Sequence, residues 1–433
     1  MKRLILALFL MVAPFVARAE IEIQEVTSPG GIDAWLVEEQ SIPFAALEII
    51  IDGGASLDEP GKRGATNLMM GLLEEGAGDM DARAFQTARE GLAASYGFDA
   101  YDDSVVITAR FLTENRDQAV ELLRKALTEP RFDQDALDRV RAQVQSIIRS
   151  DSTDPNAIAG AAFDAAAFGD HPYGSDINGT AESVSALTRA DIITAHRNAL
   201  VRSRVHVGAA GDISAQELGI LLDDLLGALP EEGPALPEPV AFGLDGGTTV
   251  IDFETPQSVA LFGHEGLERD DEDFFAAYIL NEILGGRGVQ SRLMEEVREK
   301  RGLTYGVYSY LVPKDYAALY LGSVASANDR IAQAIAVIRD EWARMAQEGV
   351  TAEELEAAKT YLTGAYPLRF DGNAAIAGIL AGMQATGLPP DYVENRNAYV
   401  EAVTLDDINR VAGELLNPEG LHFVVVGQPE GLD

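Results

Sequence analysis

The chain has 433 residues, 33 Lys plus Arg against 70 Asp plus Glu, a formal net charge of −37, 47% hydrophobic residues and no cysteine. That apolar fraction supports real cores and excludes disorder as the main state, and the length allows two or three domains. So negative a chain repels phosphate backbones, which excludes a general nucleic-acid binder; without cysteine there is no disulfide framework, thiol nucleophile or thiolate-held metal.

In chain order, Met1-Lys2-Arg3, the apolar run from Leu4 to Val16 and Ala17-Arg18-Ala19 have the three regions of a secretory signal, with cleavage expected after Ala19. Export without cysteine suits a bacterial periplasm. No later run reaches the ~20 apolar residues needed to span a bilayer. Strand-like runs follow at 46–51, 105–111, 205–210, 318–324 and 423–426. Between them lie helical stripes such as Ala119, Val120, Leu122, Leu123, Ala126 and Leu127, and Ile331, Ile335, Ile338, Trp342 and Met345. Strands and helices interleave without the alternation of a doubly wound sheet, which predicts an α+β fold with helices on one sheet face.

The segment 185–192 matches 401–408 without a gap at an offset of 216, and 132–141 resembles 350–359 at an offset of 218. One shared long offset means a duplicated domain rather than a solenoid. The expected organisation is an N-terminal α+β domain over 20–228, a Pro-rich acidic linker over 229–239, extended and exposed, and a C-terminal α+β domain over 240–433.

Five histidines, His171, His196, His206, His264 and His422, include no pair spaced for a helical zinc site. His206 and His422 hold equivalent places in the two repeats, inside apolar strands, and read as structural; His171-Pro172-Tyr173-Gly174 reads as a turn. The most distinctive stretch runs from Leu280 to Ser309. Gly285, Gly286 and Gly288 permit a close backbone approach, Ser291 is placed to cap a helix, Arg298 falls in that helix's last turn, and Tyr305 begins the next strand. Arg298 and Tyr305 can converge on one carbonyl or oxyanion as charged and phenolic donors. Spacing alone leaves open a surface Arg beside a core Tyr.

Taken together, the duplication, the Leu284-Gly285-Gly286 loop, the Ser291-Arg292-Leu293 helix start, the Arg and Tyr seven apart and the His-Pro-Tyr-Gly segment resemble the insulinase/pitrilysin-type metallopeptidases, notably their short bacterial members and the mitochondrial processing peptidase subunits. The resemblance covers essentially the whole mature chain. It implies two homologous α+β domains clamped around a chamber in which a peptide adds a strand to a sheet edge, with Gly285, Gly286 and Gly288 as substrate-binding positions and Arg298 and Tyr305 as catalytic ones.

The chain also departs from that pattern. Catalytic members carry His-x-x-Glu-His on the first helix, where two imidazoles bind zinc and the Glu is general base. Here Asn67, Met70 and Gly71 stand at those three places, 139–150, where the family's third ligand is expected, has no acidic residue, and Glu74 and Glu75 read as solvated helix-end charges. No cofactor is therefore expected in this chain, and no peptidase activity from it alone. Because the family includes heterodimers in which one subunit holds zinc and the other the Arg and Tyr, the resemblance implies the non-zinc subunit of a periplasmic heterodimeric zinc metallopeptidase, partnered by a homologous zinc-bearing subunit. The alternatives are a catalytically inactive peptide-binding or scaffold protein of the same fold, and an enzyme using another metal or nucleophile.

Overall fold

The computed structural model describes residues 22–286 and 291–432, so the signal segment and Gly288 lie outside the described residues. The first half runs β1 (Gln24–Thr27), β2 (Asp33–Glu38), β3 (Phe44–Asp52), α1 (Ala65–Met70), β4 (Gly76–Ala77), β5 (Met80–Asp81), α2 (Ala82–Gly91), β6 (Ser95–Ala100) and β7 (Ser104–Leu112). It continues α3 (Arg116–Thr128), α4 (Gln134–Asp151), α5 (Pro155–Phe168), α6 (Ala181–Ala186), α7 (Arg189–Ala199), β8 (Val205–Gly211) and α8 (Ala215–Leu226). The second half comprises β9 (Gly247–Asp252), β10 (Gln257–Glu265), α9 (Phe274–Gly285), β11 (Val307–Pro313), β12 (Ala318–Ala327) and α10 (Ile331–Glu348). After these come α11 (Ala352–Ala365), α12 (Asn373–Ala385), α13 (Tyr392–Ala402), α14 (Leu405–Leu415) and β13 (His422–Gly427).

The two main sheets have orders β1-β2-β8-β3-β7-β6 and β11-β12-β10-β13-β9. Each has a single parallel pair at the matching place, β2 with β8 and β9 with β13, and is otherwise antiparallel. Repeat residues His206 and His422 fall on β8 and β13. The gapless repeat has a local cause: Thr188 and Asp191 form a capping box on α7, and Thr404 and Asp407 form the same box on α14.

Helices do not keep to one face. On β3 the residues Leu47, Ile49 and Ile51 enter the core with α3 and α8, whereas Ala46 faces the other way, with Ala210 and Ala377. That second face receives α12, from the other half of the chain, packed across β8, β3 and β2. Reciprocally, α5 from the first half packs on β10 and β13, where Phe163 and Phe168 meet Val424 and Val426. Small residues make the space: a Cβ on Gly208 would run into the Ala377 carbonyl. Each repeat thus lends one helix to the other's sheet.

The 229–239 segment is without regular structure and mostly exposed, but it is pinned rather than free. Pro230 and Glu231 carbonyls accept the Arg202 and Ser203 N–H groups, Arg204 bonds the Pro234 carbonyl, and Val240 N donates to Tyr316 O at 2.8 Å.

A polar hub also joins the halves. Asp102 bridges Arg63 (3.1 Å) and Lys314 (2.6 Å), and the Lys314 ammonium sits 3.9 Å over the Tyr173 ring. Tyr173 donates to Asp103 at 2.6 Å. Burial pushes the nearby Asp164 and Asp315 carboxyls up to about 6.

Candidate functional site

The first helix begins because Gly64, at φ 98°, turns the chain and the Asp58 carboxylate accepts the Gly64 and Thr66 N–H groups at 2.9 Å each. On it, Asn67 Nδ2 donates to Asn178 Oδ1 at 2.8 Å, Met70 is 1% exposed in the apolar core, and a Cβ on Gly71 would lie 3.2 Å from Val140 of α4. A hydrogen-bonded amide, a buried thioether and a glycine do not fit a zinc site. Among the described residues, no group of three or more His, Cys, Asp or Glu could hold a metal ion. Glu74 and Glu75 are ion-paired rather than simply solvated, Glu74 with Arg89 at 2.6 Å and Glu75 with Arg139 at 2.5 Å, because α2 and α4 bring arginines over the end of the helix.

The Arg298 and Tyr305 segment is built differently. Arg292 forks onto Glu354 at 2.7 and 2.8 Å and reaches the Gly349 carbonyl at 3.0 Å. Ser291 Oγ receives the Met294 N–H at a long 3.4 Å as a π-helical turn, Met294–Glu299, begins. Glu296 anchors that turn through Lys300 and Arg301, both at 2.6 Å. Arg298 points outward, its side chain 47% exposed, with Glu299 at 3.6 Å as ion-pair partner.

Beyond the turn, Ser326 Oγ donates to Leu303 O, and the Thr304 hydroxyl lies 2.6 Å from Ala325 O while accepting the Gly306 N–H at 3.1 Å. These bonds hold the backbone on both sides of Tyr305. Its ring is 87% exposed, so it is not a core tyrosine, and it stands two residues before β11 rather than starting the strand. Arg298 and Tyr305 line one concave surface of about 440 Å³, together with Gln257, Thr304, Ser326 and Arg330. Gln257 and Arg330 are additions to the sequence reading; they come from the start of β10 and the cap of α10, and no local pattern marks them. Tyr305 leads into β11, which, like β6, is an edge strand of its sheet.

Of the glycines, Gly285 is required by packing: a Cβ there would strike Ser309, whose hydroxyl donates to Asn281 at 2.8 Å. Gly286 ends α9 against Glu282 of its own helix. His206 bonds Asp52 at 2.9 Å, His422 bonds the Gly246 carbonyl at 2.5 Å and Thr249 at 3.0 Å, and His171 Nδ1 accepts the Tyr173 N–H within its turn. None of the three lines the Arg298 and Tyr305 surface.

A family model described as Insulinase (Peptidase family M16) matches residues 35–181, and one described as Peptidase M16 inactive domain matches residues 186–362. A Helicobacter pylori protein described as a non-peptidase homolog is 25% identical over 431 residues, 98% of each chain. An uncharacterized zinc protease of Mycobacterium leprae is 28% identical over 396 residues, 90% of this chain and 88% of that protein. A crystal structure described as the peptidase M16 inactive domain from Pseudomonas fluorescens superposes with a TM-score of 0.89 at 28% identity, covering 95% of this chain and all of that one.

Proposed function

Because this chain belongs to the insulinase family of peptidases yet carries Asn67, Met70 and Gly71 at the family's zinc positions, we propose that it is the non-zinc subunit of a periplasmic heterodimeric metallopeptidase. In this reading zinc belongs to a homologous partner subunit. Peptide adds a strand along the β11 edge, Arg298 holds its carbonyls, and the Tyr305 phenol donates to the oxyanion as the amide is attacked. The observation that carries it is the contrast between the two places: the zinc positions hold a hydrogen-bonded amide, a buried thioether and a glycine, none of them a metal ligand, whereas Arg298 and Tyr305 stand open on one surface, held by satisfied backbone. Gly285 keeps α9 close to β11 at Ser309, which aligns that edge.

The experiment mixes this chain with a zinc-bearing homologue from the same source and follows cleavage of a peptide library. The mixture should gain activity that neither chain has alone, and Tyr305→Phe should lower turnover by ~10²-fold at unchanged melting temperature and subunit affinity. Full activity of the zinc-bearing chain by itself, unmoved by mixing, rejects the proposal.

The second reading, an inactive peptide-binding or scaffold protein, is favoured by two relatives, one described as a non-peptidase homolog and one as an inactive domain. It predicts peptide binding without a gain of cleavage in any mixture.

A further inference from the structure

A second concavity, of about 520 Å³, lies between the start of α9, α12 and α13, away from Arg298 and Tyr305. Its composition is unusual for a chain of net charge −37: three arginines line it, Arg269, Arg369 and Arg396, and no Asp or Glu does. Arg396 is 4% exposed. Its Nη1 donates to the Leu362 carbonyl at 2.8 Å and to Asn397 Oδ1 at 3.1 Å, and its guanidinium lies 4.7 Å from the Tyr366 ring and 5.5 Å from that of Tyr278. Among the described residues it has no carboxylate partner, and the Nε and Nη2 edge of the fork has no acceptor.

Burying a cation without an opposite charge is costly, and aromatic faces offset only part of that cost. Arg269 repeats the pattern. It is stacked 4.2 Å from the Phe274 ring, donates to the Tyr392 hydroxyl at 3.0 Å and has no carboxylate partner among the described residues. Arg369 stands exposed. Apart from Thr386, the rest of the lining is aromatic or otherwise apolar, including Phe275, Ile379 and Leu388. A planar fork with one open edge matches the two oxygens of a carboxylate, and the surrounding wall matches an apolar body.

We propose that this cavity binds a carboxylate carried on an aromatic or branched apolar group, the free edge of Arg396 taking both oxygens and Arg269 and Arg369 completing the positive field. That chemistry is shared by the C-terminus of a peptide ending in an apolar residue and by a free apolar carboxylic acid. The proposal does not depend on the peptidase pairing.

Calorimetric titration of the full chain with N-acetyl-leucyl-phenylalanine and with its C-terminal amide tests it. The acid should bind saturably and the amide at least tenfold more weakly. Arg396→Gln should lose at least tenfold in affinity; should that variant fail to fold, Arg369→Gln, at an exposed position, should lose several-fold at unchanged melting temperature. A ten-residue peptide with the same free C-terminus separates the two sources: equal binding identifies peptide C-termini, and binding of the short acid alone identifies a small free acid, either result supporting the carboxylate site. Equal affinity for acid and amide, no saturable binding at millimolar acid, or tighter binding of phenyl phosphate would overturn it. Both variants leave Arg298 and Tyr305 intact, so failure here is separable from failure of the peptidase reading.

Discussion

Asp164 tests whether the hub between the halves is under electrostatic strain. It lies on α5, the helix lent to the second sheet, partly buried and without a described hydrogen bond or ion pair. Burial, opposed by Lys314 and reinforced by the like charges of Asp102 and Asp176, pushes its carboxyl up to about 6. In the unfolded chain the same group titrates near ~3.9. The native state therefore holds the proton more tightly than the unfolded one, so the group's favourable contribution is present below ~4 and is lost as pH rises through ~6. A difference of about two pH units corresponds to ~3 kcal/mol, which solvent screening of a partly exposed group reduces to about 1.5.

Asp164→Asn removes the charge and keeps the shape. At pH 7.5 it should raise the melting temperature by about 3–6 °C, taking 2–4 °C per kcal/mol for a unit of this size, and the gain should shrink to about a third at pH 4.5. Each comparison is made against the native chain at the same pH, because burial lowers the pKa of His171, His196 and His264, which acts in the opposite sense. An equal gain at both pH values, or a loss at pH 7.5, would refute the reasoning; the loss would mean that Asp164 is ionised and paired with Lys314.

Three further outcomes follow from packing and burial. Gly208→Ala should destabilise the chain by at least ~2 kcal/mol, read as a lower melting temperature and faster amide exchange in α12, since the new methyl meets the Ala377 carbonyl. Met70→Glu should destabilise by several kcal/mol without creating zinc affinity, because the carboxylate would enter an apolar core; elemental analysis and thermal melting check it. His264, which accepts the Trp342 Nε1–H at 3.0 Å and is held by burial down to about 4, should titrate there by NMR; its stabilising contribution is lost as pH falls from ~6.5 toward 4, and a native titration near ~6.5 would contradict the assignment.

The duplication was legible because the repeated residues do local work: Thr188 with Asp191 and Thr404 with Asp407 cap equivalent helices, and such short-range chemistry leaves a readable pattern. The helix exchange was not legible. Both α5, with Ala159, Phe163 and Ala167 among a nearly all-apolar run, and α12, with Ile376, Leu380 and Met383, are apolar around most of their circumference. Such helices read as buried, and nothing in their periodicity says beneath which sheet. The hub was hidden for a similar reason, since Lys314 and Asp102 meet across 212 residues. Arg298 and Tyr305 were readable as a pair only through family resemblance, while the exposure of Tyr305 depends on bonds to Ala325 and Ser326 that no local spacing announces.

The two candidate places in this chain are built in opposite physical ways. At α1, the place that metal chemistry would need polar is apolar at Met70, which joins the cluster with Leu68, Leu72 and Val140, while Asn67 is half-buried and Gly71 exposed beside α4. Folding gains there from Met70, since a carboxylate buried at its place would carry a desolvation cost that only a metal or a matched partner offsets. At Tyr305 folding gains little from the side chain itself, whose ring is almost wholly in solvent, yet ordered bonds from Thr304 and Ser326 fix the backbone that presents it. A satisfied scaffold holding an open phenol beside an open guanidinium is what positioning requires and what stability alone does not. The chain is therefore closed around Met70 at the first place and organised for contact at the second, where Arg298 and Tyr305 face outward.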